Sequence, residues 1–387
     1  MLPSLLYVGD VPVESTYHGS ALLHRLLGAY PAGPLTILET GTPSQPARRL
    51  PNAKYASYPI GRQRWLNTRF HPQVVVWFSY DASRKSSQIA ASLNGSEFGA
   101  ILTVAHGFGW LAAARMAQTR NVPLHLMVHD DWPRAASVPN SFRNWLDKRF
   151  AQVYRQAQSR LCVSPAMSRS YEERYGASAS VMYPSRAAVC PDYDEPPGQL
   201  ASNDKPFTIA FAGTINSGGY IDALIAVQNA LKTVNGRLLI FGPLTADVAQ
   251  QIGLHDSKTE ICGLLPAADL LTRLRAEAHA LFVPMSFAAV DRANMEMAFP
   301  SKLADYTATG VPLLIYGPSY CSAVAWAREN PGVAEVVEAE PDLSVAIAKL
   351  ANHSDHRVLL GKRALDAGRE YFSQARCQQQ FHQSLSA

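Results

Sequence analysis

Ser301, Lys302 and Asp305 have the types and the spacing that would bind a ligand carrying a phosphate and a diol. Pro300 is typical of the start of a helix and Gly310 of its end, which predicts a short helix followed by a buried strand. Residues four apart share one helix face, about 6 Å apart along the axis. N–H groups, a hydroxyl and a lysine at a helix start can bind phosphate, and a carboxylate one turn later can accept from a diol. An exposed helix with a solvated charged face is the alternative that the pattern leaves open.

Residues 299–317 resemble the nucleotide-sugar segment of GT-B glycosyltransferases, especially the retaining enzymes of glycosyltransferase family 4. The matching letters are Phe-Pro-Ser-Lys-Leu-x-Asp-Tyr-x-x-x-Gly-Val-Pro-Leu-Leu. Enzymes of this family usually carry two acidic residues separated by seven others, and the second contacts the ribose of the nucleotide. Asp305 matches the second acid. Met297 stands where the first is expected, and Glu296 is one residue out of step.

The chain alternates short apolar runs with helical patterns, which predicts an α/β fold with parallel sheets. The resemblance implies two Rossmann-like domains that face each other across a cleft. We predict an N-terminal domain over 1–185, a proline-containing linker over 186–206, a nucleotide-sugar domain over 207–370 and a last helix over 371–387 that crosses back. Strands of the first domain are predicted at Leu5–Val8, Leu35–Leu38, Val74–Ser79, Ala100–Val104, Leu124–Val128 and Leu161–Val163.

Composition describes a globular protein of 387 residues, with 47% hydrophobic and 17% charged residues and no apolar run long enough to span a bilayer. Five scattered cysteines form no Cys-x-x-Cys pair. Together with a start that lacks the basic residues of a signal peptide, they predict a cytoplasmic protein. No nucleic-acid partner is expected.

The first half is basic, because residues 1–185 carry 19 Lys and Arg against 10 Asp and Glu. This favours contact with an anionic acceptor or with the inner face of a membrane, although a role in solubility alone explains it equally well. The helical pattern over Ser141–Ser159 combines aromatic and basic residues. We expect it to pack its aromatic residues inward rather than to lie on a membrane.

Ligands of parallel sheets gather at the carboxyl ends of the strands, where the first half has three notable loops. The resemblance implies that Gly19 faces the donor phosphate and that His129 lies near the transferred sugar, with Asp130 orienting its imidazole. We place His18 and His106 on the acceptor side. For His106 a packing role is an equally good interpretation, and for Gly19 an ordinary turn is the alternative.

In the second half, a turn over 213–219 follows a predicted strand. Its spacing mimics a P-loop, but Gly219 stands where the lysine is required, so ATP hydrolysis is not expected. Backbone N–H groups of Gly213, Thr214 and Gly219 can still bind a pyrophosphate. The resemblance implies that the turn at Leu265 reads the nucleobase.

No metal site is predicted. Asp192-Tyr193-Asp194 has the letters of a metal-binding Asp-x-Asp but lies among prolines and follows no strand, and no second histidine accompanies His129 at helical spacing.

The resemblance implies a retaining, metal-independent transfer of a hexosyl group from a UDP- or GDP-type donor to a glycan, lipid-linked or small-molecule acceptor, without a cofactor. Lys302, His129 and Asp130 are the catalytic candidates. A nucleotide-sugar epimerase on the same fold, or a non-catalytic sugar-nucleotide-binding or scaffold protein, are the alternatives.

Overall fold

The computed structural model describes residues 2–15, 18–31, 35–93, 97–187, 190–203, 206–215 and 217–386. The chain divides into two compact units, Met1–Tyr183 with Cys377–Ala387, and Pro184–Arg376. Each unit has one sheet, and all of the strand pairings in the described part of the chain are parallel.

The first unit has a seven-stranded sheet in the order β3-β2-β1-β4-β5-β6-β7. The strands are β1 (Leu5–Gly9), β2 (Leu35–Glu39), β3 (Lys54–Ser57), β4 (Ala100–Val104), β5 (Leu124–Val128), β6 (Ser159–Cys162) and β7 (Ser180–Val181). The helices are α1 (His18–Gly28), α2 (His71–Arg84), α3 (Ser86–Ala91), α4 (Gly109–Arg120), α5 (Asn140–Gln156) and α6 (Pro165–Tyr175). Every residue of β1, β4 and β5 is buried, as continuous apolar runs require of a sheet covered on both faces.

The second unit has a six-stranded sheet in the order β10-β9-β8-β11-β12-β13. The strands are β8 (Thr208–Ala212), β9 (Arg237–Phe241), β10 (Thr259–Gly263), β11 (Ala280–Pro284), β12 (Leu313–Tyr316) and β13 (Ala334–Val337). The helices are α7 (Gly218–Leu231), α8 (Ala246–Gln251), α9 (Ala267–Glu277), α10 (Arg292–Met297), α11 (Lys302–Tyr306), α12 (Ser322–Glu329), α13 (Glu340–Asn352) and α14 (Ser354–Phe372). The predicted short helix and the buried strand after it are α11 and β12.

Both sheets reverse their strand order at one point, between β1 and β4 in the first unit and between β8 and β11 in the second. Loops leaving the carboxyl ends of such neighbouring strands diverge, which leaves a crevice where ligands of Rossmann-like sheets bind. The predicted α/β class with two Rossmann-like domains is confirmed. We therefore expect the ligand-binding residues in the loops at these two points.

The predicted strand Val74–Ser79 is wrong, because these residues lie inside α2. Three consecutive valines suggest a strand, but Pro72 in the first turn favours a helix start. Phe78 and Ala82, four residues apart, are buried on one face of the helix. Tertiary burial overrides the β-propensity of the valines. The edge strands β3 and β7 were not predicted, since neither has a continuous apolar run.

The segment predicted as a linker belongs to the second unit and is tied to it by side chains of α14. Arg357 is fully buried and donates hydrogen bonds to the carbonyl oxygens of Leu200 (3.1 Å) and Ser202 (2.9 Å) and to Asn203 (2.7 Å). Arg369 pairs with the Asp192 and Asp194 carboxylates of the Asp-x-Asp letters. Proline content indicated a linker, but these long-range bonds decide where the residues lie.

The last helix, α15 (Gln374–Ser386), packs Phe381 and Leu385 into the core of the first unit. The chain thus returns to the first unit at Cys377. The helix predicted from 371 instead divides at Ser373, where α14 has ended. Within the described residues no helix combines the length and the apolar character needed to cross a bilayer.

We expect Arg357→Met to destabilise the second unit by about 3 kcal/mol or more, because several buried carbonyl groups lose their donor at once. Urea unfolding measures the loss, and hydrogen exchange followed by mass spectrometry should show faster exchange over residues 198–203. Arg363→Met, an exposed change on the same helix, is the matched control. Equal effects of the two substitutions would show that the guanidinium does not hold this segment in place.

Candidate functional site

The hydroxyl of Tyr306 joins α11 to the end of β8. It accepts a hydrogen bond from the backbone N–H of Ala212 (2.6 Å) and donates one to the Ala212 carbonyl (3.1 Å). Tyr306 is buried, so neither backbone group has water as a substitute partner. This pair of bonds holds the helix that carries Ser301, Lys302 and Asp305 against the turn that begins at Gly213.

The ammonium of Lys302 lies over this turn. Its Nζ is 4.1 Å from the ring centroid of Phe211 and 5.8 Å from that of Tyr220, and a Cβ atom built on Gly213 would be 3.5 Å from it. Burial lowers the pKa of Lys302 from 10.5 to about 7, because a charged ammonium loses its hydration there. Aromatic faces stabilise this charge only partly, so an anion brought to the turn would be a strong partner for it.

Asp305 lies one helical turn beyond Ser301 and is half-buried, whereas Ser301 is exposed. Arg186 lies beneath α11, where its Nε donates to the carbonyl of Ala304 (3.3 Å) and its charge interacts with Asp305. Burial lowers the pKa of Arg186. Arg186 is therefore a second cation at α11 besides Lys302. Its position in the sequence predicts only the start of a linker.

The N-terminus of α7 is packed closely against the loop that follows β11. A Cβ atom on Gly219 would overlap Ser286 Oγ, which is fully buried. Asp291 accepts a hydrogen bond from Ser217 Oγ (2.9 Å), and that carboxylate would lie 3.3 Å from the same Cβ atom. Packing against Ser286 thus requires glycine at position 219, which is buried.

Glu296 is exposed on α10, and Met297 at the expected position of the first acid is buried in the core. Asp291 is the acid that the fold brings to the start of α7. Spacing from Asp305 could not identify it, because Asp291 does not stand at the expected position eight residues before Asp305.

The three turns after β8, β9 and β10 lie side by side at the edge of the sheet. Gly242 donates its N–H to the carbonyl of Gly263 (2.9 Å), and a Cβ atom on Gly242 would overlap the carbonyl oxygen of Gly213. Thr214 and Leu265, both half-buried, follow the first and third of these turns. The structure therefore places the predicted pyrophosphate and nucleobase turns at one edge of the second unit.

In the first unit, the carboxylate of Asp10 ties the loop after β1 to the loop after β4. It accepts hydrogen bonds from the Thr40 hydroxyl (2.7 Å), the Gly109 N–H (2.8 Å) and the Phe108 N–H. Burial raises the pKa of Asp10 although these donors favour its ionised form. Gly107 has a φ of +59°, and a Cβ there would overlap this carboxylate. The two glycines thus allow close packing around Asp10.

Gly19, His106, His129 and Asp130 all lie at this edge. A Cβ atom on Gly19 would be 3.7 Å from His129 Nδ1, and the exposed His106 ring is 5.8 Å from the ring of Trp132. Burial lowers the pKa of His129, the charge of His106 lowers it further and the Asp130 carboxylate opposes both. The imidazole is therefore neutral near pH 7 and can accept or donate a hydrogen bond. α1 begins at His18, whose side chain lies outside the described residues.

Asp131 anchors the His129 loop to α6. Its carboxylate is buried, pairs with Arg174 (2.6 Å) and lies 3.3 Å from the hydroxyl of Tyr171. That hydroxyl is 2.6 Å from the carbonyl of Trp132. Asp131 thus positions the loop. The sequence alone could not distinguish this role from a catalytic one.

In the part of the chain that the structure describes, no three His, Cys, Asp or Glu side chains are grouped closely enough to hold a metal ion. The carboxylates of Asp192 and Asp194 instead pair with Arg369 at 3.2 and 2.9 Å.

The chain resembles solved structures of the same architecture. HepE (Alr3699) from Anabaena, crystallised with UDP, superposes with a TM-score of 0.69 at 12% identity and covers 99% of each chain. Sucrose-phosphate synthase from Thermosynechococcus elongatus has a TM-score of 0.69 at 15% identity, covering 98% of this chain and 97% of its own. A trehalose-phosphate synthase from Burkholderia xenovorans has a TM-score of 0.68 at 12% identity, covering 99% and 100%.

The chain has the GT-B fold. Residues 35–185 also match the family model described as Glycosyltransferase Family 4, so the predicted resemblance is confirmed. That match falls on the first unit, whereas the letters that first indicated the resemblance lie at 299–317 in the second. No curated protein matches the chain in sequence.

The pKa of Lys302 predicts a specific pH dependence of stability. Below about pH 7 both folded and unfolded chains hold the proton, and the folded state bears the cost of a poorly hydrated charge. Between about 7 and 10.5 the unfolded chain holds the proton and the folded chain has lost it, so stability rises with pH. We expect Lys302→Met to be more stable than the parent near pH 6 and the difference to shrink as pH rises. Urea unfolding of both proteins at several pH values measures this, and a pH-independent difference would contradict it.

Proposed function

We propose that this protein is a retaining, metal-independent glycosyltransferase that moves a hexosyl group from a UDP-sugar to a glycan, lipid-linked or small-molecule acceptor. The observation that carries the proposal is the Lys302 ammonium over the Gly213 turn, with the Asp305 carboxylate one helical turn beyond. HepE and a related complex of it contain UDP and UDP-glucose, which favours uridine over guanosine in the donor.

The second unit holds the donor in this proposal. Backbone N–H groups of Thr214 and Gly219 bind the diphosphate, and Ser301 with Lys302 completes its shell. Gly213 contributes close approach of the turn rather than a donor, because its own N–H donates to the carbonyl of Phe241 (2.9 Å). Asp305 accepts hydrogen bonds from the ribose hydroxyls. The turn at Leu265 contacts the base through its backbone. As the bond to the anomeric carbon breaks, negative charge grows on the leaving phosphate oxygen, and the lysine stabilises that charge.

An ammonium with a pKa of about 7 is suited to this task. It is only partly charged in the free protein near neutral pH, and a bound diphosphate favours its protonated form. Donor binding therefore takes up a proton at this site. The charge is then in place before the leaving group departs.

The first unit supplies the acceptor side. Gly19 leaves room for the donor beside His129, whose neutral imidazole can donate to a sugar hydroxyl or stabilise charge at the reacting sugar. Asp130 favours the protonated form of that imidazole. His106 contacts the acceptor, which attacks the anomeric carbon from the face that the leaving group vacates.

Asp291 takes the place of the displaced first acid. Its carboxylate lies at the start of α7 beside Gly219, where it can accept a hydrogen bond from the transferred sugar. Glu296, exposed on α10, has no part in this proposal.

A panel of nucleotide sugars tests the donor assignment. In EDTA we expect UDP-sugars to raise the melting temperature by mass action and to be consumed with a suitable acceptor. Asp305→Ala should weaken donor binding at least tenfold, because the ribose hydroxyls lose their acceptor. Asp355→Ala, an exposed change on α14, should leave binding unchanged. Transfer that stops in EDTA and returns with Mn²⁺ would refute metal independence, and failure of every nucleotide sugar to bind would refute the donor site.

His129 separates an enzyme from a non-catalytic binding protein. We expect His129→Ala to lower kcat by about 10²-fold with little change in donor affinity, because the imidazole acts on the transition state rather than on the bound nucleotide. Calorimetry and initial rates measure the two quantities, with His255→Ala, an exposed change in the second unit, as control. An unchanged kcat would show that His129 is a packing residue. Donor binding without transfer in the parent protein would favour the scaffold interpretation.

A further inference from the structure

The outward stripe of α2 is aromatic where solvated side chains are usual. Phe70, at the helix start, is 53% exposed, and Trp77 and Tyr80 are 47% and 51% exposed. With Gln73 and Arg84 they recur every three or four residues, so they share one face of the helix. The opposite face is already filled, because Val74, Phe78 and Ala82 are buried there. The exposed aromatic residues therefore do not contribute to the hydrophobic core of the unit.

Two further tryptophans extend this stripe across neighbouring elements. Trp65 stacks on Trp77 with centroids 5.3 Å apart, and Trp145 of α5 lies 4.6 Å from the ring of Tyr80. We name the five residues Trp65, Phe70, Trp77, Tyr80 and Trp145 the aromatic face. Scattered exposed aromatic residues need no explanation, but a contiguous group of this size indicates a binding surface.

The stretches of chain that carry the aromatic face are rich in cations and poor in anions. Residues 62–85 and 140–156 carry nine Lys and Arg and only two Asp. Asp81 is buried and pairs with Lys85 (2.7 Å), and Asp147 is 2.9 Å from the Tyr175 hydroxyl. Guanidinium groups lie over the aromatic rings themselves. These pairs are Arg62 with Trp65 (5.7 Å), Arg69 with Phe70 (4.9 Å) and Arg149 with Trp145 (5.7 Å).

We infer that the aromatic face docks on an anionic membrane surface. Trp and Tyr are favoured at the boundary between headgroups and acyl chains, because their rings are amphipathic. Arginines beside them reach lipid phosphates while their stems stay on apolar surface. A protein partner would more often meet a mixture of both charges, whereas the charged residues of these stretches are mainly cations. The inward-packing prediction for α5 holds for Phe142 and Leu146. α2 and the Phe70 that precedes it supply three of the five residues of the face, and α5 supplies one.

The side chain of Phe78 connects α2, which carries part of the aromatic face, to the loop that contains His106 and Phe108. On the buried side of α2, Phe78 meets the ring of Phe108 edge to face with centroids 5.4 Å apart. The backbone N–H of Phe108 is one of the three donors to Asp10. A docked membrane would therefore lie close to His106. If the proposed function holds, this favours a lipid-linked acceptor over a soluble glycan.

Vesicle flotation of the full chain tests the docking. We expect binding to vesicles of phosphatidylcholine with about one third phosphatidylglycerol, little binding to phosphatidylcholine alone, and weakening as salt is raised beyond about 0.5 M. Trp77→Ser combined with Tyr80→Ser should weaken binding at least tenfold. Arg62→Gln combined with Arg69→Gln should remove the preference for anionic lipid. The matched controls are Val345→Ser with Leu359→Ser, and Lys232→Gln with Arg363→Gln, all exposed in the second unit.

Absence of binding to anionic vesicles would overturn the inference, as would equal losses in the control variants. Sedimentation that shows a dimer broken by Trp77→Ser would assign the face to a second copy of the chain instead. UDP titration of the same proteins keeps the two proposals separate. Vesicle binding without UDP binding would count against the proposed function alone, and UDP binding without vesicle binding against the docking alone.

Discussion

The hydroxyl of Tyr306 is the group on which the rest of the candidate donor site depends. One buried oxygen bonds to both backbone groups of Ala212, so the end of β8 and the helix with the phosphate- and diol-binding residues move as one body. Strand ends normally satisfy such groups within the sheet or in water. Here the sheet is interrupted at its reversal point, and a side chain completes it. These bonds hold α11 where the Lys302 ammonium lies over the Gly213 turn.

In the first unit, the carboxylate of Asp10 holds the loops at the reversal point together, as the hydroxyl of Tyr306 does in the second. The Asp10 carboxylate gathers donors from the β2 and β4 loops, and the glycines at 107 and 109 allow the backbone to approach it. Burial of a carboxylate is costly, and three hydrogen bonds offset that cost. In each unit, therefore, a polar group at the reversal point is used for construction, and half-buried residues around it are left for ligands. His129 and Lys302 belong to that second group.

Burial gives these two residues a common property. Each has a pKa lowered by loss of hydration, and each lies beside an anion or the place proposed for one. A group of this kind gains a proton when negative charge arrives. In the second unit, Arg186 donates a hydrogen bond to α11, the helix that carries Lys302. Arg186 precedes the segment that Arg357 and Arg369 of α14 bind. The segment over 186–206, which the sequence predicts as a linker, thus helps to position the candidate site.

The sequence by itself determined the α/β class, most strands of the first sheet, and the local unit formed by residues 299–317. These features depend on contiguous apolar runs and on side chains one helical turn apart, which are properties of neighbours along the chain. The sequence did not determine α2, where burial of Phe78 and Ala82 outweighed three β-branched valines. Nor did it identify Asp10, Arg186 or Asp291 as parts of the two edges, because each acts on residues distant in the chain. Only the tertiary structure decided these positions, since burial and charge at a sheet edge come from strands that are adjacent in space and not in sequence.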